Sequence, residues 1–168
     1  MKKKILSLAM ACVMVMSCCS IVAMAACKED IPTTMIETND GVIFEIIDGD
    51  QDNFDGGITR DNYVAVDQSL TDRNGSQTIS FRTNSDYPYY RIFVSNKGSS
   101  AYNITLTDES GENQLHSSPV VLNVGKSTNL TNANAATGMR YLTVTARDGS
   151  ALKGTVRIRL ASSADELA

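Results

Sequence analysis

The 168-residue chain has no tryptophan, one histidine, three prolines and four cysteines, and each scarcity removes a class of explanation. With His116 as the sole histidine, a histidine-rich metal centre is excluded, and the surrounding Gln114-Leu115-His116-Ser117-Ser118 matches no nucleophile motif. Serines and aspartates are too plentiful for a Ser-His-Asp arrangement around His116 to be singled out, and no spacing marks a paired acid and base. A glycine-rich phosphate cradle and a zinc-type cysteine spacing are both missing. Past the leader, no stretch carries four turns of apolar residues at helical spacing, so a helical core is not expected. These absences point away from an enzyme.

The N-terminus is the clearest signal. Lys2 to Lys4 precede the apolar run Ile5 to Met16, and Ala23-Met24-Ala25 supplies a small-x-small cleavage pattern. Residues 1–25 therefore read as a signal peptide, with Ala26 opening the mature chain. One alternative is a retained anchor, because Ile5 to Ala26 approaches the roughly 20 residues needed to span hydrocarbon. Another is a lipid anchor at Cys18 or Cys27, each preceded by small residues but without the usual leucine. Cleavage removes Cys12, Cys18 and Cys19, leaving Cys27 alone, so no intramolecular disulfide can form and the core must hold the fold. The destination is secreted or at the extracytoplasmic cell surface.

Charge is unevenly spread. The formal net charge is −4, and loss of Lys2, Lys3 and Lys4 takes the 15 basic side chains to 12 against 19 acidic, net −7. A nucleic-acid partner is disfavoured. Between Glu29 and Asp72 the only basic residue is Arg60, whereas Arg140, Arg147, Lys153, Arg157 and Arg159 face only Asp148 between Arg140 and Leu160. The complementary halves are expected to meet inside one domain.

Alternation with a period of two defines the fold class. Tyr102, Ile104 and Leu106 share a face against Asn103, Thr105 and Thr107, and Val156, Ile158 and Leu160 share one against Thr155, Arg157 and Arg159. Further strands are expected over Gly41 to Ile47, Asn62 to Val66, Gln77 to Arg82, Tyr89 to Asn96, Val120 to Val124 and Arg140 to Ala146. Turn clusters at Asp72–Gly75, Asn96–Ser100, Glu109–Glu112 and Asp148–Ser150 separate them. The pattern predicts an all-β, two-sheet antiparallel β-sandwich, immunoglobulin-like or jelly-roll-like, with hairpins over Tyr89–Thr107 and Arg140–Leu160. Residues 39–161 form the sandwich, 26–38 a lead-in and 162–168 a tail. The Asn129 to Gly138 stretch reads as a short helical turn or a long loop.

Two features could carry recognition. In Asp48-Gly49-Asp50-Gln51-Asp52-Asn53-Phe54-Asp55, carboxylates at alternating positions can converge on a hard cation, which makes Asp48, Asp50, Asp52 and Asp55 candidate Ca²⁺ ligands. The opening looks like a helix-loop-helix calcium loop. It departs from that pattern at Asn53, where glycine belongs, and at Thr59, where a bidentate glutamate should close the site. The alternative is a solvated acidic turn. The second feature is Tyr87-Pro88-Tyr89-Tyr90, in which Tyr87 and Tyr89 are candidate ligand-binding residues and at least one neighbouring tyrosine must face the core. The sequence thus points to a non-catalytic recognition module for an extracellular protein or glycan. The alternatives are a structural subunit that pairs through edge strands and a small secreted hydrolase.

Overall fold

The computed structural model describes residues 34–37, 42–48, 61–115 and 118–167, the first two segments by their backbone alone. Among these residues the chain forms ten strands: β1 (Thr34–Glu37), β2 (Val42–Asp48), β3 (Asn62–Leu70), β4 (Ser76–Thr83), β5 (Tyr89–Asn96), β6 (Tyr102–Asp108), β7 (Val120–Leu122), β8 (Lys126–Asn132), β9 (Gly138–Ala146) and β10 (Gly154–Ala161). They build a six-stranded sheet in the order β1-β2-β8-β5-β10-β3 and a four-stranded sheet in the order β4-β9-β6-β7, all antiparallel. The expected two-sheet sandwich is what forms.

Period-two patterning explains the core. Leu142 and Val144 of β9, Ile104 and Leu106 of β6, and Ile92 and Val94 of β5 are fully buried, while their chain neighbours Thr143, Thr105 and Arg91 are only half-buried. Side chains from both sheets merge into one apolar cluster. Burying such side chains, at about 25 cal/mol per Å² of apolar surface, is the main favourable term holding a sandwich of this size together.

The order of strands corrects the expected hairpins. β3, β10, β5 and β8 follow one another in the larger sheet, and β4, β9, β6 and β7 follow one another in the smaller. Each strand of the smaller sheet is therefore matched with one adjacent to it in the chain. Tyr89–Thr107 and Arg140–Leu160 are arches that step from one sheet to the other. Alternation reports which face of a strand is buried but not which strand lies beside it, and Lys97–Ala101 is long enough to cross the roughly 10 Å between sheets. The arches stack through backbone hydrogen bonds. Leu152 N donates to Asp72 O at 2.8 Å, Lys97 N to Lys153 O at 2.9 Å, and Gly125 N to Asn96 O at 2.9 Å.

The turn clusters are held by side chains that accept backbone hydrogen bonds from residues just ahead. Asp72 Oδ1 accepts from Asn74 N at 2.7 Å, Asp148 Oδ1 from Ser150 N at 2.9 Å, and Asp108 Oδ1 from Ser110 N at 2.9 Å and Glu112 N at 3.0 Å. The Ser110 hydroxyl beside Asp108, with these amides, holds its carboxyl below the usual range. At Asp148 the Ser150 amide is the main cause of a similar lowering.

The structure differs from the sequence reading at β8 and at Arg159, and adds an ordered element at each end. β8, Lys-Ser-Thr-Asn-Leu-Thr-Asn, is a strand where a loop or helical turn was expected over Asn129 onward. It lies between β2 and β5, and Ser127, Thr128, Asn129 and Asn132 are buried with only Leu130 as a large apolar residue. Residues 26–38 include β1, and residues 162–168 include a 3-10 turn, Ala164–Leu167. That turn packs on β5 and β10, buries Leu167, and its Leu167 carbonyl accepts from Arg91 Nη1 at 2.8 Å. Arg159, expected on the outward face of its strand with Thr155 and Arg157, is opposite Arg91 in register and buried. The complementarity of the two halves does appear on the surface, where Arg157 Nε meets Asp67 Oδ1 at 3.2 Å between β10 and β3. A pair this exposed contributes about 0–1 kcal/mol.

Candidate functional site

Strand β3 ends the larger sheet, and a register shift against β10 shapes its first half. Ile158 aligns with Val66 and Arg159 with Val64, so Ala65 is the extra residue of a bulge. The bulge changes the parity of everything before it. Tyr63 consequently aligns with the core-facing Leu160 instead of with its outward neighbour. Its ring meets Tyr87 edge-on, with centroids 4.9 Å apart and planes at 86°.

Tyr87 reaches this point from the β4–β5 loop. Asn84 Oδ1 accepts from the amides of Asp86 and Tyr87, both at 2.9 Å, and Pro88 O accepts from Ala136 N at 3.0 Å. The loop is thus fastened to the β8–β9 connection. Tyr87 is half-buried and packs on the edge of the core, whereas Tyr63 remains 37% exposed. The two tyrosines singled out in the sequence are separated. Tyr90 is fully buried, so Tyr89, its neighbour in β5 and aligned with Ala161, faces the other side of the sheet. Tyr63, not Tyr89, is the ring that Tyr87 meets. No local signal distinguishes it, because its orientation depends on a bulge set by a strand about ninety residues further on.

Beneath the rim is a buried polar pair. Tyr90 packs edge-on against Phe81 with ring centroids 5.3 Å apart, and its hydroxyl lies near Asn132 and Arg140 without a well-formed hydrogen bond. Burial raises the Tyr90 pKa, opposed by the Arg140 charge. Arg140 itself donates from Nη1 to Met139 O at 3.0 Å, while its Nε has no partner. A buried hydroxyl without a partner forfeits its hydration for no return. Tyr90→Phe is therefore expected to leave stability unchanged or raise it by about 0.5–1 kcal/mol. Thermal melting checks this, and a loss above about 1 kcal/mol would mean that the hydroxyl holds a real hydrogen bond.

The other sequence candidates fall mostly elsewhere. Asp48 ends β2 opposite Lys126 in register. Asp50, Asp52 and Asp55, like His116 and all four cysteines, lie outside the described residues. Among the described residues no group of three or more His, Cys, Asp or Glu side chains could hold a metal ion, and no helix is long and apolar enough to cross a membrane. The rim offers an aromatic surface with a phenol at its outer edge, which can stack and hydrogen-bond.

No protein-family model matches the chain, and no curated protein is significantly similar to it.

Proposed function

We propose that this is an exported, non-catalytic recognition module, free outside the cell or held at its surface, that contacts a protein or glycan through the Tyr63–Tyr87 rim. The observation that carries the reading is the ring pair itself, in which an exposed tyrosine is braced by one packed on the core. A ring already ordered before contact loses little entropy on binding and offers both an apolar face and a hydroxyl. The leader pattern of residues 1–25 supports the export half of the reading.

The test is a capture screen of the full chain against extracellular proteins and glycans, repeated with Tyr63→Ser. Because much of the Tyr63 ring is in water, the variant is expected to keep its melting temperature while weakening capture about tenfold or more. Capture at full strength by Tyr63→Ser removes the rim from the reading.

A second reading has one observation in its favour. β3 is a nine-residue strand at the end of its sheet, the kind of edge through which subunits pair. Its bulge at Ala65 and the charge of Asp67 both work against such pairing. A mass that rises with concentration in light scattering would favour assembly over recognition.

A further inference from the structure

The outward face of the four-stranded sheet carries an unusual set of side chains. Antiparallel register places them in three rows across β4, β9 and β6. Ser76, Thr145 and Asn103 form the first, Thr78, Thr143 and Thr105 the second, and Ser80, Tyr141 and Thr107 the third. Eight of the nine end in a hydroxyl and none is charged, although one residue in five of the chain is Asp, Glu, Lys or Arg. Formal charges begin outside the grid, with Arg82 at the next outward position of β4 and Arg147 two residues beyond Thr145. At strand and residue spacings the grid measures about 10 Å across the strands and about 13 Å along them.

The hydroxyls divide into two groups. Ser76 Oγ and Thr145 Oγ1 pair at 3.0 Å, and Thr78 Oγ1 and Thr143 Oγ1 pair at 2.9 Å. By contrast, the side chains of Ser80, Tyr141, Thr105, Thr107 and Asn103 make no hydrogen bond among the described residues. All five are half-buried or exposed. Five polar groups that both donate and accept thus face outward at fixed spacing, with the Tyr141 ring between Ser80 and Thr107.

This chemistry selects its partner. An apolar protein surface laid on the grid would strand those five polar groups, each costing about 1–3 kcal/mol if left without a partner. A charged polymer would find no counter-charge on any of the nine positions. A chain of neutral sugars satisfies both conditions, because its hydroxyls also donate and accept and the C–H face of a pyranose can lie on a phenol ring. We propose that the outer face of the β4-β9-β6 grid binds a neutral polysaccharide, with Tyr141 as the stacking platform and Thr105, Thr107 and Ser80 as its hydrogen-bonding surround. The inference rests on the recognition reading only in treating the protein as a binding module, since the grid and the Tyr63–Tyr87 rim share no residue.

Affinity electrophoresis of the full chain in gels containing hydroxyethylcellulose, xylan, galactomannan or soluble starch, with alginate as the charged comparison, tests it. Retardation is expected in at least one neutral gel and not in alginate alone. Tyr141→Ala and Thr143→Glu are each expected to weaken that retardation about tenfold, the second by placing a carboxylate in the middle of the grid. Tyr63→Ser is expected to leave it unchanged, so failure of the rim and failure of the grid are separable. Melting temperature identifies any variant that has lost its fold. If Thr143→Glu does not fold, Thr105→Ala, which removes one hydroxyl of the surround, takes its place and is expected to weaken retardation, with unchanged retardation counting against the assignment. Migration unaltered in every neutral gel, retardation by alginate alone, or equal retardation of the wild type, Tyr141→Ala and folded Thr143→Glu would overturn the assignment.

Discussion

Gly154→Ala is expected to destabilise the protein by about 3–5 kcal/mol, lowering the melting temperature by roughly 10 °C or more. Gly154 opens β10, between Asn96 of β5 and Leu70 of β3, so both flanks are already occupied. Its φ of +151° lies in a region that side-chain-bearing residues rarely enter. An added Cβ would also sit 2.0 Å from the Ser95 carbonyl oxygen and 3.0 Å from its carbon. The obstacle is backbone in the middle of a sheet, which cannot rotate aside as a side-chain tip would. The adjacent hydrogen bond from Thr155 N to Ser95 Oγ, 3.0 Å, would be displaced with it. Denaturant melts of the variant check the value. A loss below about 1 kcal/mol would mean that β10 can slide away from β5 without disturbing the ladder.

The second large effect is expected at Tyr102, which is fully buried. Its hydroxyl donates to Lys153 O at 2.9 Å and accepts from Lys153 N at 2.8 Å, so one side chain of β6 closes the β9–β10 arch from beneath. Lys153 O also accepts from Lys97 N at 2.9 Å, so Tyr102→Phe deprives chiefly the amide. The expected cost is about 1.5–3 kcal/mol, measured by thermal or urea unfolding. A coupled change makes the assignment specific. A Cβ at Gly98 would lie 2.2 Å from the Tyr102 hydroxyl and 3.0 Å from the ring carbon that bears it. Gly98→Ala is therefore expected to be strongly destabilising alone and distinctly less so in the Tyr102→Phe background. Strictly additive effects in the double-mutant cycle would show that the hydroxyl is not the point of collision.

What could be read from the sequence, and what could not, follows from how far each signal reaches along the chain. β5 and β10 bury consecutive residues in their second halves, whereas β6 and β9 announce themselves because each alternates against a half-solvated face, and the turns that flank them carry their own Asp or Asn acceptors. β8 does not, because a strand flanked on both sides can bury Ser127, Thr128 and Asn129 and so escapes a search for alternating apolar residues. β7 stops at Leu122 instead of Val124, since Val124 lies in the turn before β8 and is 49% exposed. The rim was half legible. Tyr87 follows from a polar turn running into aromatics, but its partner Tyr63 is oriented by the Ala65 bulge, which only the pairing of β3 with β10 creates. The grid was legible strand by strand, with Asn103, Thr105 and Thr107 outward as expected, but its alignment into rows required the order β4-β9-β6, which alternation does not encode.

That order has a temporal consequence. The arch made by β9 and β10 stacks between the arch of β3 and β4 and the arch of β5 and β6, although it is the last of them in the chain. A polypeptide emerging N-terminus first would carry the flanking arches with a vacancy one arch wide, and neither could lock onto the other until residues 138–161 arrived to fill it. β9 and β10 act as a keystone, so cooperative closure waits for nearly the whole described chain to become accessible together.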